Sequence, residues 1–172
     1  RALGVFRSDL QFCIQLLRIV RGFSRGSFGF TRLPEQLQDR EQNGCNRNAA
    51  DQQKQEEHVV KMFEILAKSG KLVKVSELDM GYVDESGTTV LTKDMTEEQH
   101  KAMAEYYKFI VKKYFEIIPV AQQYGITQWC ATDAPGAPGD SNWRGGEPVG
   151  LWDSNYNRKH TYAGFADGLA GK

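Results

Sequence analysis

Apolar residues recur at helical spacing in QEEHVVKMFEILAKSG, residues 55–70, where Val59, Met62, Phe63 and Leu66 fall on one side. Acids precede that stripe, Lys68 closes it and Gly70 supplies a C-terminal stop, so one amphipathic helix is predicted over 55–70. The pattern then changes to period two in KLVKVSELD, residues 71–79, which predicts a strand. A polar loop follows at 80–94. Thr96 and Gln99 have the spacing of a capping box and open a long helix over about 96–118, striped by Met103, Tyr106, Tyr107, Ile110, Tyr114 and Phe115 and stopped by Pro119. YGITQWCATD, residues 124–133, predicts a second, buried strand. A Gly/Pro/Trp-rich loop over 134–157 leads to a last short helix over 158–171. Upstream, Leu10–Val20 has a helix-like apolar run, followed by RGFSRGSFGF and a tract rich in Gln, Asn and Arg.

Helix, strand, helix, strand, helix, with crossovers of this length, predicts an α/β fold with parallel strands. Chemistry in such folds gathers at the carboxyl ends of the strands, and the loops 80–95 and 132–157 both leave from those ends. Glu77 and Asp79 sit there too. Their spacing of two puts them on one face of the strand, with Val73 and Val75, so Glu77 is expected to point inward. A charge in that position is costly unless it has a partner or a task. A salt bridge at a solvated edge and a catalytic carboxylate are both compatible with the spacing. Trp129 fits core filling or a site equally, whereas Trp143 lies in APGDSNWRGGEPVG, a loop too polar and glycine-rich to bury an indole. Tryptophans beside carboxylates suit sugars, since an indole packs on the C–H face of a pyranose.

Charge changes the picture at one point. The 22 basic and 22 acidic residues balance, which removes any long-range pull toward nucleic acid or anionic membrane. Residues 1–53, however, hold eight arginines and no lysine, while 54–172 hold twelve lysines and only Arg144 and Arg158 as arginines. Two segments are therefore expected, 1–53 being disordered or translated from a shifted frame. RGFSRGSFGF has the arginines and aromatics of an RNA-binding arm, but the bland reading is a segment without function. Cys13, Cys45 and Cys130 lack ligand spacing, so no metal or cofactor is expected, and Cys130 is read as a small buried hydrophobe. The run 10–20 is too short and polar for a membrane span and lacks a cleavage site.

SELDMG (76–81) and YGITQWCATDAPGAPGDSNWRGGEPVGLWDSNYNRKHTYAGFADGL (124–169) together resemble the last two strands of a glycoside hydrolase family 10 endo-1,4-β-xylanase. Residues 54–172 carry the likeness. It implies the C-terminal part of a TIM (β/α)8 barrel and retaining cleavage of β-1,4-xylosidic bonds, with xylan or xylo-oligosaccharide as the partner and a secreted or periplasmic location. Position by position, Glu77 matches the nucleophile and Asp79 the acid that orients it through a histidine. Trp129 matches the indole on the floor of the −1 sugar site and Trp143 the lid over it. Arg144 and Asp133, in the same loop, are candidate sugar ligands, and Trp152 belongs to a structural turn. The acid/base of the family lies in a WDVxNE-like motif that the sequence does not contain, and 39–53 shows no GxxxQxH strand to supply the histidine. His58 and His100 fall on helices. Two strands of a barrel leave sheet edges open to association, so marginal stability and weak or absent hydrolysis are expected of the chain by itself. A xylan-binding remnant using Trp129 and Trp143 is the alternative.

Overall fold

The computed structural model describes residues 14–17, 49–84, 86–133 and 144–172. Along the chain these form strand β1 (Ile14–Leu17), helix α1 (Ala49–Ala67), strand β2 (Leu72–Leu78), a small hairpin of β3 (Tyr82–Val83) and β4 (Thr89–Val90), helix α2 (Glu97–Ile117), strand β5 (Gln123–Gln128) and helix α3 (His160–Leu169). β2 lies between β1 and β5 and runs parallel to β5, as a helical crossover requires.

The long helix forms where its local signals put it. Thr96 accepts from the Gln99 amide, and the Gln99 side chain accepts from the Thr96 amide, so the expected capping box opens α2. α1 starts at Ala49 and runs continuously past residue 53, and Gly70 beyond its end takes φ +65°. Val59, Met62, Phe63 and Leu66 of α1 and Met103, Tyr106, Tyr107, Ile110 and Tyr114 of α2 pack with Val73, Val75 and Leu78 of β2 in one core. Phe115 leaves the stripe: it is partly exposed and packs edge-on against Tyr114, because it lies one helical step around from the buried row.

Tyr114 holds the two parallel strands together from the helix side. Its hydroxyl donates to the Val73 carbonyl at 2.7 Å and accepts from the Gly125 amide at 3.0 Å. α3 packs closely on α2 because Gly164 lies against the backbone of Ala104, where any side chain would collide.

Three expectations change. Within the helix-like run Leu10–Val20, Ile14–Leu17 is a strand, antiparallel to β2 from Ile14 opposite Val75 to Leu17 opposite Leu72. A short apolar run pays the full cost of helix nucleation, and the open edge of β2 offers it backbone partners instead. The second strand ends at Gln128 and is not buried throughout: as an edge strand with one face uncovered, it exposes Tyr124 and Thr127. Third, the main sheet of the described residues has three strands where two were expected, because β1 adds to β2, and it stays open as expected of part of a barrel.

Candidate active site

The carboxyl ends of β2 and β5 lie side by side. Leu78 pairs with Gln128, and the next residue along, Trp129, donates its amide to the Leu78 carbonyl at 3.0 Å. From Val75 to Leu78, three steps of β2 match two of β5, from Ile126 to Gln128. That bulge changes which way the acid points. Leu78 joins Val73 and Val75 in the core under α1 and α2, so Glu77 beside it lies on the opposite face, not with the valines as the simple alternation predicts. Glu77 is half-buried there, and no other described residue forms a hydrogen bond or ion pair with it. Trp129, at the same end, is 53% exposed. Trp143 lies outside the described residues. Trp152 packs on Tyr162 with ring centroids 5.1 Å apart and bridges Thr132 and Arg158, which makes it part of the framework.

Asp79 is buried at the end of β2 and accepts from Arg144 Nη1 at 3.3 Å. The same guanidinium gives Nε and Nη2 to Glu147 Oε2, at 3.0 and 2.8 Å. Gly81 makes room for this: a Cβ there would run into Arg144 Nη2 and Glu147 Oε2. His58 and His100 lie on α1 and α2, as expected, while His160 opens α3 and pairs with Glu97 at 3.1 Å.

Asp133 ties the loop together. One oxygen accepts from the Gly150 amide at 2.8 Å and from Lys159 Nζ at 2.6 Å, and the other from Thr92 Oγ1 at 2.9 Å. The carboxylate is thereby sealed, with Asp133 only 3% exposed, so it joins the turn after β4, the segment at Gly150 and the start of α3 and offers little to a sugar. Burial lowers the Lys159 ammonium's pKa from the ordinary lysine value, against the pull of Asp133 in the other direction. Cys130 is half-buried, less than expected, and its thiol is pushed up to about 11 by burial and then by the charge of Asp79. Among the described residues no group of three or more His, Cys, Asp or Glu could hold a metal, and no helix is long and apolar enough to cross a membrane.

Gly81, Glu147, Thr92 and Gly150 are the residues that motif reasoning passes over. Thr92 and Gly150 act on Asp133 from 41 and 17 positions away, and Glu147, only three positions from Arg144, matters through the contact that Arg144 makes with Asp79 beside Gly81; only the density of glycines around 145–150 hinted at a tightly built turn.

The sequence model of glycosyl hydrolase family 10 matches residues 44–168, which begins ten positions ahead of the expected 54. The chain belongs to glycosyl hydrolase family 10. Among relatives of this family 10 chain, endo-beta-1,4-xylanase Xyn10C of Cellvibrio japonicus is 33% identical over an alignment that covers 59% of this chain and 18% of the relative. A solved structure of a mutant of xylanase 10C from the same organism, in complex with xylopentaose, superposes with a TM-score of 0.55 at 29% identity, over 66% of this chain and 24% of that one. A thermostable mutant of Xyn10A from C. japonicus, 23% identical, shares the fold with a TM-score of 0.55 over 67% and 36% of the two chains. The family 10 chain thus spans between about a fifth and about a third of the length of these relatives.

Proposed function

We propose that the chain carries the nucleophile side of a retaining glycosidase site that acts on xylan or xylo-oligosaccharides. Glu77 attacks the anomeric carbon with a carboxylate oxygen, the bond from that carbon to the glycosidic oxygen breaks with its electron pair on the departing oxygen, which takes its proton from solvent, and water later adds at the anomeric carbon and frees the Glu77 carboxylate. The observation that carries the reading is the pairing at one sheet end of a carboxylate left without a partner among the described residues and a half-exposed indole, Glu77 and Trp129. Trp129 gives the pyranose an apolar platform. Asp133 serves the site by holding the loop in place.

The partial exposure of Trp129 also favours a second reading, a xylan-binding remnant without turnover. Glu77→Ala separates them. An aryl xylobioside with a 2,4-dinitrophenolate leaving group needs no proton on departure, so its cleavage reports the nucleophile alone. The enzyme reading predicts dinitrophenolate release by the full chain that Glu77→Ala abolishes while leaving xylo-oligosaccharide binding in place. Binding by both proteins with release by neither supports the remnant.

A further inference from the structure

Arg144 is placed to serve a carboxylate instead of a sugar. All three of its guanidinium nitrogens end on acids, Nε and Nη2 on Glu147 and Nη1 on Asp79, and its side chain is only 12% exposed. The arrangement demands something of two distant segments. At residue 144 the backbone takes φ +52°, a left-handed conformation that a residue with a Cβ adopts at a cost. At residue 81 a side chain would occupy the space that Arg144 Nη2 and Glu147 Oε2 fill. Both features deliver one planar donor to Asp79, two residues along the chain from Glu77.

We propose that Arg144, backed by Glu147 and admitted by Gly81, is a positioning residue that fixes Asp79 and, through the intervening backbone at Leu78, the direction of Glu77. It rests on the reading of Glu77 as nucleophile. The clamp also ties residues 144–147 to the end of the strand that carries Glu77. Arg144 therefore acts on the bond-breaking step and not on sugar affinity.

The test uses the full chain and 2,4-dinitrophenyl β-xylobioside, with kcat and KM for dinitrophenolate release measured for Arg144→Lys, Arg144→Met, Gly81→Ala, Asp79→Asn and the pair R144M/D79N. Arg144→Met is expected to lower kcat by about tenfold or more with KM nearly unchanged, and Arg144→Lys to recover part of the loss. Gly81→Ala keeps every charge but displaces the guanidinium, and is expected to lower kcat in the same way. In the double variant the loss should equal that of Asp79→Asn alone, because a residue acting through Asp79 has nothing left to act on. A rise in KM at constant kcat makes Arg144 a sugar ligand and overturns the proposal, as do additive losses in the double variant. If the unmodified chain releases no dinitrophenolate, the nucleophile reading fails, and amide hydrogen exchange then decides the clamp. Faster exchange in Arg144→Met confined to 76–81 and the loop at 144–150 upholds it, and unchanged exchange at 76–81 refutes it.

Discussion

The amide of Trp129 donates to the carbonyl of Leu78 at 3.0 Å, which fixes the indole at the end of the sheet where Glu77 stands. Position is thus set by the backbone ladder, while Trp129 as a whole remains 53% exposed and open to a ligand. Trp129→Ala should therefore weaken binding of xylopentaose by about tenfold, roughly 1.4 kcal/mol, since a sugar loses its apolar platform. Stability should move by no more than about 0.5 kcal/mol, as for a surface change. Calorimetric titration beside thermal melting checks both halves; a large loss of stability with unchanged affinity would make Trp129 a core residue.

The Asp133–Lys159 pair is closed to solvent, with the two side chains 4% and 6% exposed. Removing one partner strands the other charge, so Asp133→Ala should cost about 3–5 kcal/mol in urea unfolding. The double variant D133L/K159M buries no charge and should regain much of that loss. Equal losses in the single and double variants would show that the hydrogen bonds to Thr92 and Gly150, not the ion pair, carry the contribution.

His100 stacks on His160 with ring centroids 6.1 Å apart, near Lys159, Glu97 and Asp133. Burial first, then the charges of Lys159 and His160, hold its pKa below the ordinary 6.5. As pH falls through that value the unfolded chain takes up the proton before the folded one does. Folding stability therefore drops with acid in this window and levels off once the folded form also titrates. Thermal melting between pH 5 and pH 7.5 should show a shallower acid loss for His100→Gln than for the unmodified chain, and identical slopes would exclude His100 as a source.

The composition break also makes a prediction. β1 runs antiparallel to β2, whereas the strands of a (β/α)8 barrel are parallel, and the family match starts at residue 44. We predict that the DNA encoding residues 1–43, translated in its other two frames, contains a GxxxQxH strand. Its absence from all three frames would instead make β1 part of a genuine N-terminal arm.

Elements whose signals are local were legible in the sequence. The Thr96–Gln99 box and the stripes of α1 and α2 are contained within a few turns, and the fold class follows from their alternation with strands. The bulge before Leu78 left only one local trace, the apolar Leu78 three places after Val75 where alternation puts Glu77, and pairing with β5 is what reveals the extra residue. The Arg144 contact to Asp79, 65 positions away, was not legible, since charge complementarity alone does not choose among many acids. Asp133 appeared as a loop acid near aromatics, and only its burial by Thr92, Gly150 and Lys159 marks it as a tie. Glu77 stood out as a candidate from its neighbours in sequence, but the direction it faces came from the bulge.

Trapping the glycosyl-enzyme tests the central claim most directly. In 2,4-dinitrophenyl 2-deoxy-2-fluoro-β-xylobioside the fluorine slows both attack and hydrolysis, while the good leaving group keeps attack the faster step, so the ester accumulates. Peptide mass mapping of the full chain should find one fluoroxylobiosyl group on Glu77, and none after Glu77→Gln. An unlabelled chain, or a label that persists in Glu77→Gln, would contradict the assignment of Glu77 as nucleophile.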